Sequence, residues 1–145
     1  MKKLIIPIAL TILLTSNALA KNHQVQMLNY KDGKTMVFDP GYLKIDLKDQ
    51  VTFIPNDLSH NSKSLFTPKE AKKWNGKNDQ KITISFDHEG IYIYECSNHS
   101  AMAMLGIIQV GKPTNLKSAR EFLKNHKKKI AMNKDRLDKY LTNLN

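Results

Sequence analysis

The chain has 145 residues, a net charge of +10 and a single cysteine. That length fits one domain, and one cysteine rules out a framework of intramolecular disulfides. The basic charge favours acidic partners, but the lysines come without aromatic interleaving or a nucleic-acid motif, which argues against nucleic acid.

Met1 to Ala20 reads as a secretory signal. Lys2 and Lys3 give the charged start, Leu4 to Leu14 the apolar run, and Ala18-Leu19-Ala20 an A-x-A cleavage site. The run is too short to span a bilayer comfortably, so a retained anchor is the lesser alternative. No cysteine follows for lipid attachment. The expected mature chain is 21–145, without a membrane segment, and its expected location is the periplasm. Loss of Lys2 and Lys3 lowers the +10 by two.

From Lys21 to Val110 the pattern is one of strands and turns. Gln24–Leu28 and Thr35–Phe38 flank an Asp32-Gly33 turn, and Asp39-Pro40-Gly41 closes the second. Leu43, Ile45 and Leu47 alternate with polar residues as in a half-buried strand. Val51–Ile54 is β-branched and aromatic, and Pro55 ends it. Ile82, Ile84 and Phe86 alternate, Glu89-Gly90 turns, and Ile91–Tyr94 and Leu105–Val110 read as buried strands. Tyr92 is either a tyrosine corner or a packing residue. Between Asn56 and Gln80 lies a long excursion, in which Thr67-Pro68 could open a short helix running to Trp74. The whole predicts an antiparallel Greek-key β-sandwich over 21–111.

After Gly111-Lys112-Pro113 the period becomes helical. Leu116, Ala119, Phe122 and Leu123 form one stripe, behind Thr114 or Asn115 as cap. Ile130, Leu137, Tyr140, Leu141 and Leu144 form a second. A helical hairpin over 114–145 is expected to lie on the sandwich, with Lys127–Lys129 as a solvated charge run.

The chemistry concentrates in Cys96-Ser97-Asn98-His99-Ser100-Ala101-Met102-Ala103-Met104. Outside the cytoplasm cysteines usually pair. An unpaired one leaves an intermolecular bridge, a reactive thiol or a metal ligand. Taken singly, a cysteine or methionine usually fills a core and a loop histidine is usually solvated. Their joint occurrence after a β-run favours a metal. Thiolate, imidazole and thioether together suit copper, in a trigonal His₂Cys site with a weak axial methionine. Cys96, His99 and Met104 would supply three ligands, with Met102 a competitor for the axial place. The fourth is a second histidine. His23, near the mature N-terminus, His88, in a turn, and His126, in the hairpin, compete with His60, which follows a strand through a short loop. His60 is the best placed.

Met27-Leu28-Asn29, Met36-Val37-Phe38-x-Pro40, Val51–Pro55, His60-Asn61 and Cys96-x-x-His99-x-x-x-x-Met104, with the helical pair, resemble the pseudoazurins. These are small blue copper proteins with the cupredoxin fold. The resemblance implies that His60, Cys96, His99 and Met104 bind copper. It implies that Asn61 braces the two ligand loops and that Met36 packs near the His99 ring. Asn98 departs from the family, which often has proline there. Its N–H could bond the Cys96 sulfur, favour Cu(I) and raise the potential.

The expected function is a monomeric, soluble electron carrier, not an enzyme. It would dock briefly on acidic-faced redox proteins, with copper nitrite reductase or a c-type cytochrome as the implied partners. The runner-up is a copper-binding or delivery protein. An enzyme ranks third, because too few histidines remain for a second catalytic copper.

Overall fold

The computed structural model describes residues 19–144. Eight strands form two four-stranded sheets. β1 (Asn22–Lys31), β2 (Lys34–Asp39), β4 (Gln50–Pro55) and β6 (Ile82–Ser85) make the first, in the order β2-β1-β4-β6. β3 (Tyr42–Ile45), β5 (Lys63–Phe66), β7 (Gly90–Glu95) and β8 (Leu105–Val110) make the second, in the order β3-β8-β7-β5. The chain changes sheet at every connection from β2 to β7. One consequence is that β1–β4 and β3–β8 pair in parallel, while the other pairs are antiparallel.

Local chemistry explains the joints. Asp32 and Gly33 both have positive φ and link Lys31 to Lys34 across a two-residue hairpin, the arrangement that suits the twist of antiparallel strands. The Tyr92 hydroxyl donates to the His88 carbonyl at 2.8 Å, so this residue forms the tyrosine corner as well as packing. β3 stops at Ile45; Lys48 takes positive φ and Leu47 is exposed, so the alternation there overran the strand by one apolar position.

The excursion over 56–80 holds a strand, β5, and no helix at Thr67–Trp74. Glu70 adopts positive φ, and the Ala71 N–H closes a single turn onto the Pro68 carbonyl at 3.2 Å. That conformation breaks a helix in its first turn. Trp74 instead returns beside β5. Its backbone and indole N–H groups donate to Ser64 and Ser62, and its ring stacks on Phe53 at 6.0 Å.

Two apolar cores result. The first lies between the sheets and contains Phe38, Phe53, Trp74, Phe86, Tyr92, Tyr94, Cys96 and Met104. The second lies between the outer face of β7 and β8 and two helices, α1 (Leu116–His126) and α2 (Asp135–Asn143). Asn115 precedes α1 but does not cap it. Its side chain accepts from the Ile91 N–H at 2.7 Å and donates to the Ile91 carbonyl at 3.0 Å, pinning the helix to β7. Ile130 is buried in this core but lies in the link before α2. Lys127 pairs with Asp138.

Candidate metal centre

Two connections meet at one end of the sandwich. The first, after β4, carries His60. The second joins β7 to β8 as a 3₁₀ turn over Ser97–Met102. Cys96 is the last residue before that turn, and Met104 the last before β8. The loop is tied across its base, where the Cys96 N–H donates to the Met104 carbonyl at 2.9 Å and the Met104 N–H to the His99 carbonyl at 3.2 Å.

His60, Cys96 and His99 offer ligand atoms that all lie within 4.8 Å of one another. The Cys96 Sγ is 3.8 Å from the Nδ1 of His60 and 3.5 Å from the Nδ1 of His99. His60 and Cys96 are fully buried, whereas His99 is half-buried at the surface. Burial, reinforced by the neighbouring His99, pulls the His60 imidazole below its ordinary value and so favours the neutral form, the one able to bind a metal. The second ring nitrogen of His60 is engaged by the Asn29 side chain at 3.0 Å, which fixes the ring's orientation. Met104 is fully buried in the same core as Cys96.

The backbone at this end is strained. Ser59, just before His60, and Ala103, just before Met104, both have positive φ, at 69° and 58°. Neither is glycine, and the left-handed form costs roughly 1–2 kcal/mol per residue with a Cβ. Side chains from elsewhere hold both: Asn98 Nδ2 donates to the Ser59 carbonyl at 2.9 Å, and Arg136 donates to that of Ala103. Asn61 links the two loops, accepting from the Ser97 N–H at 2.8 Å and donating to Ser97 Oγ at 3.3 Å. Asn98 thus contributes through its side chain; among the described residues its N–H makes no hydrogen bond to the Cys96 sulfur. Arg136 and the Asn98–Ser59 link had no signal in the sequence, because their partners are backbone carbonyls far away along the chain.

The other histidines stand apart. His23 pairs with Asp49 at 2.8 Å, and His88 is exposed. His126 is the last residue of α1, with Nε2 3.8 Å from Glu95 and without a hydrogen-bond partner among the described residues. Ala103 is buried, so it cannot form part of a surface patch; Ala101, Leu58 and Met132 are the exposed apolar side chains on or beside the ligand loops.

Residues 25–111 match the profile of copper-binding proteins of the plastocyanin/azurin family. Pseudoazurin of Paracoccus pantotrophus is 32% identical over 110 residues, which are 74% of this chain and 76% of that one. The chain is a member of the pseudoazurin family. The crystal structure of pseudoazurin from Methylobacterium extorquens AM1 aligns with a TM-score of 0.74 at 29% identity, covering 86% of this chain and 99% of that one. Pseudoazurin from Hyphomicrobium denitrificans aligns with a TM-score of 0.71 at 34% identity, covering 84% and 97%.

Copper is therefore the cofactor and electron transfer the activity; pseudoazurins are electron carriers, not enzymes. The donor set fits the metal, since a buried thiol beside two imidazoles with a thioether in the same core is the soft, mixed environment copper favours. Copper bound there supplies a one-electron couple between its cupric and cuprous forms. The chain's own part is to hold the donors. Asn29 and Asn61 fix His60 and the loop base, and strand ladders grip both ends of the 96–104 loop. A frame braced this way admits little movement when charge at the site changes.

Proposed function

We propose that this chain is a periplasmic blue copper carrier that passes single electrons to acidic-faced redox proteins, copper nitrite reductase being the favoured acceptor and a c-type cytochrome the alternative. The ligands in this reading are His60, Cys96, His99 and Met104. The observation that carries it is the convergence of three donor atoms within 4.8 Å, drawn from two separate connections. The burial of Met104 beside Cys96 supports its role as the fourth.

The signal segment lies almost entirely outside the described residues. Leu19 and Ala20 are exposed, and β1 begins only at Asn22, so a peptidase could cut after Ala20 without disturbing the fold. The mature chain then folds as one domain over 21–145, a sandwich over 21–111 and a hairpin over 114–145. Among the described residues no helix is long and apolar enough to cross a membrane.

His99 is the electron port in this reading, because it is the ligand histidine that reaches the surface. Ala101, Leu58 and Met132 give the face around it an apolar character suited to small, brief redox interfaces. The chain's excess of lysine steers an acidic partner toward this monomeric carrier. Two measurements test the reading. Voltammetry of the copper-loaded protein should show one reversible one-electron wave. Reduction of copper nitrite reductase should slow as ionic strength rises, because salt screens the steering. An irreversible wave would point to copper delivery, and a salt-independent rate would remove the acidic partner.

A further inference from the structure

Arg136, in the first turn of α2, is buried to 9% exposure, and among the described residues its guanidinium forms no ion pair with a carboxylate. It is used instead on three backbone carbonyls. Nη1 donates to Ala103 at 2.6 Å and to Met36 at 2.7 Å, and Nη2 donates to Thr35 at 2.9 Å. Met36 and Ala103 both hold left-handed backbone, with φ of 49° and 58°. Such residues keep that conformation only where their surroundings over-determine it. Here a single nitrogen holds two of them, 67 positions apart in the sequence.

The contact belongs to an ordered series. The Ala131 and Met132 N–H groups donate to the Ala101 carbonyl at 2.8 and 3.0 Å. Asn133 Nδ2 donates to Met102 at 3.1 Å, Arg136 to Ala103, and the Tyr140 hydroxyl to Leu105 at 3.1 Å. The order along 131–140 matches the order along 101–105. The Met104 carbonyl is left out of the series and accepts from Cys96. Of the two peptides flanking Met104, the one before it is therefore held from the helical side through the Ala103 carbonyl, and the one after it by the Cys96 backbone N–H.

We propose that Arg136 is a positioning residue for the copper centre, clamping the left-handed Ala103 peptide and so fixing the point from which Met104 projects. The proposal rests on the reading of Met104 as the fourth ligand. A guanidinium suits the task because its planar fork reaches several acceptors at once, which an ammonium cannot do in the same geometry. Without the clamp, Ala103 is free to leave the left-handed region, and the backbone of Met104 moves with it. The thioether then no longer holds one position for both oxidation states.

The test compares wild type, Arg136→Gln, Arg136→Lys and the packing control Leu137→Val, each with and without copper. Leu137 is fully buried on the same helix and serves the outer core. In the apo-protein, amide exchange at Met104 should rise at least tenfold in Arg136→Gln. In the copper-loaded protein, the intensity ratio of the two thiolate-to-copper absorption bands should shift and the potential should move. Arg136→Lys, which keeps the charge on a single donor nitrogen without the planar fork, should fold and show the same changes at smaller size. Leu137→Val should lower stability and leave both readouts at their wild-type values. A wild-type band ratio and wild-type exchange in both Arg136 variants would overturn the proposal, as would an equal response from Leu137→Val. A wild type without blue absorption would instead sink the ligand reading beneath it.

Discussion

The two sheets solve different problems. β2-β1-β4-β6 covers the core with one face and meets water with the other, so β6 alternates half-buried and exposed residues and Tyr30 on β1 is largely exposed. β3-β8-β7-β5 is covered on both faces, by the first sheet within and by α1 and α2 without, and all six residues of β7 and all six of β8 are buried. A sheet buried on both faces reads as continuous apolar runs, not as alternation. The 96–104 loop leaves the doubly covered sheet. This is what lets the helices reach it: the segment that hides the outer face also holds the carbonyls of Ala101, Met102, Ala103 and Leu105. His60, by contrast, comes from a crossover between the sheets and is held by Asn29 and by the Asn98–Ser59 link.

The largest expected effect lies in the inner core. Phe53 packs against Trp74, Tyr94 and Phe38. Phe53→Ala should cost about 3–5 kcal/mol in chemical denaturation of the apo-protein, with the cavity adding to the lost burial. Leu123→Ala in the outer core should cost about 2–4 kcal/mol, since the site can relax toward solvent. Its signature should differ: amide exchange should rise in α1 and around 101–105 before it rises in β1 or β4. Equal rises in all four regions would erase the distinction between the cores.

A smaller effect separates the two ligand connections. Asn61→Ala leaves the Ser97 N–H without its acceptor and should cost roughly 1–3 kcal/mol in apo stability. It should also speed copper loss, because the two loops then lose the Asn61–Ser97 bonds that tie them together. Unchanged copper release would show that the link is dispensable.

The smallest expected effect is one of pH. Burial holds the His126 imidazole below its ordinary value; Glu95 opposes this and Lys129 adds to it. The folded chain therefore resists a proton that the unfolded chain accepts below about pH 6.5. Stability contributed by neutral His126 is present above that pH and falls away as pH drops through it. His126→Gln should flatten the acid limb of apo stability between about pH 7 and 5. An unaltered slope would place the acid sensitivity elsewhere.

What the sequence made legible follows from the same contrast. The singly covered strands showed as alternation at Ile82 and Ile84, and the doubly covered ones as the runs Ile91–Tyr94 and Leu105–Val110. The Cys96–His99–Met104 spacing was readable because one loop contains it. His60 could be preferred only by its place after a strand, since the 3.8 Å approach of its ring to Cys96 is a product of the fold. β5 was hidden because Lys-Ser-Leu-Phe carries no β-branched residue; it is recruited by pairing with β7 and by Trp74. The Thr67–Trp74 helix failed because a cap and a proline set only a helix's start, while the positive φ of Glu70 belongs to the tertiary turn. Arg136 could not be read as a site residue, because it speaks to carbonyls that any sequence would offer.

The most direct test is a titration of the apo-protein with Cu(II), followed by its visible spectrum, for wild type and Cys96→Ser. One equivalent should turn the wild type intensely blue through thiolate-to-copper charge transfer. The serine variant should stay nearly colourless, with its secondary structure unchanged. A colourless wild type with copper bound, or a blue Cys96→Ser, would contradict a centre built on the thiolate between His60 and His99.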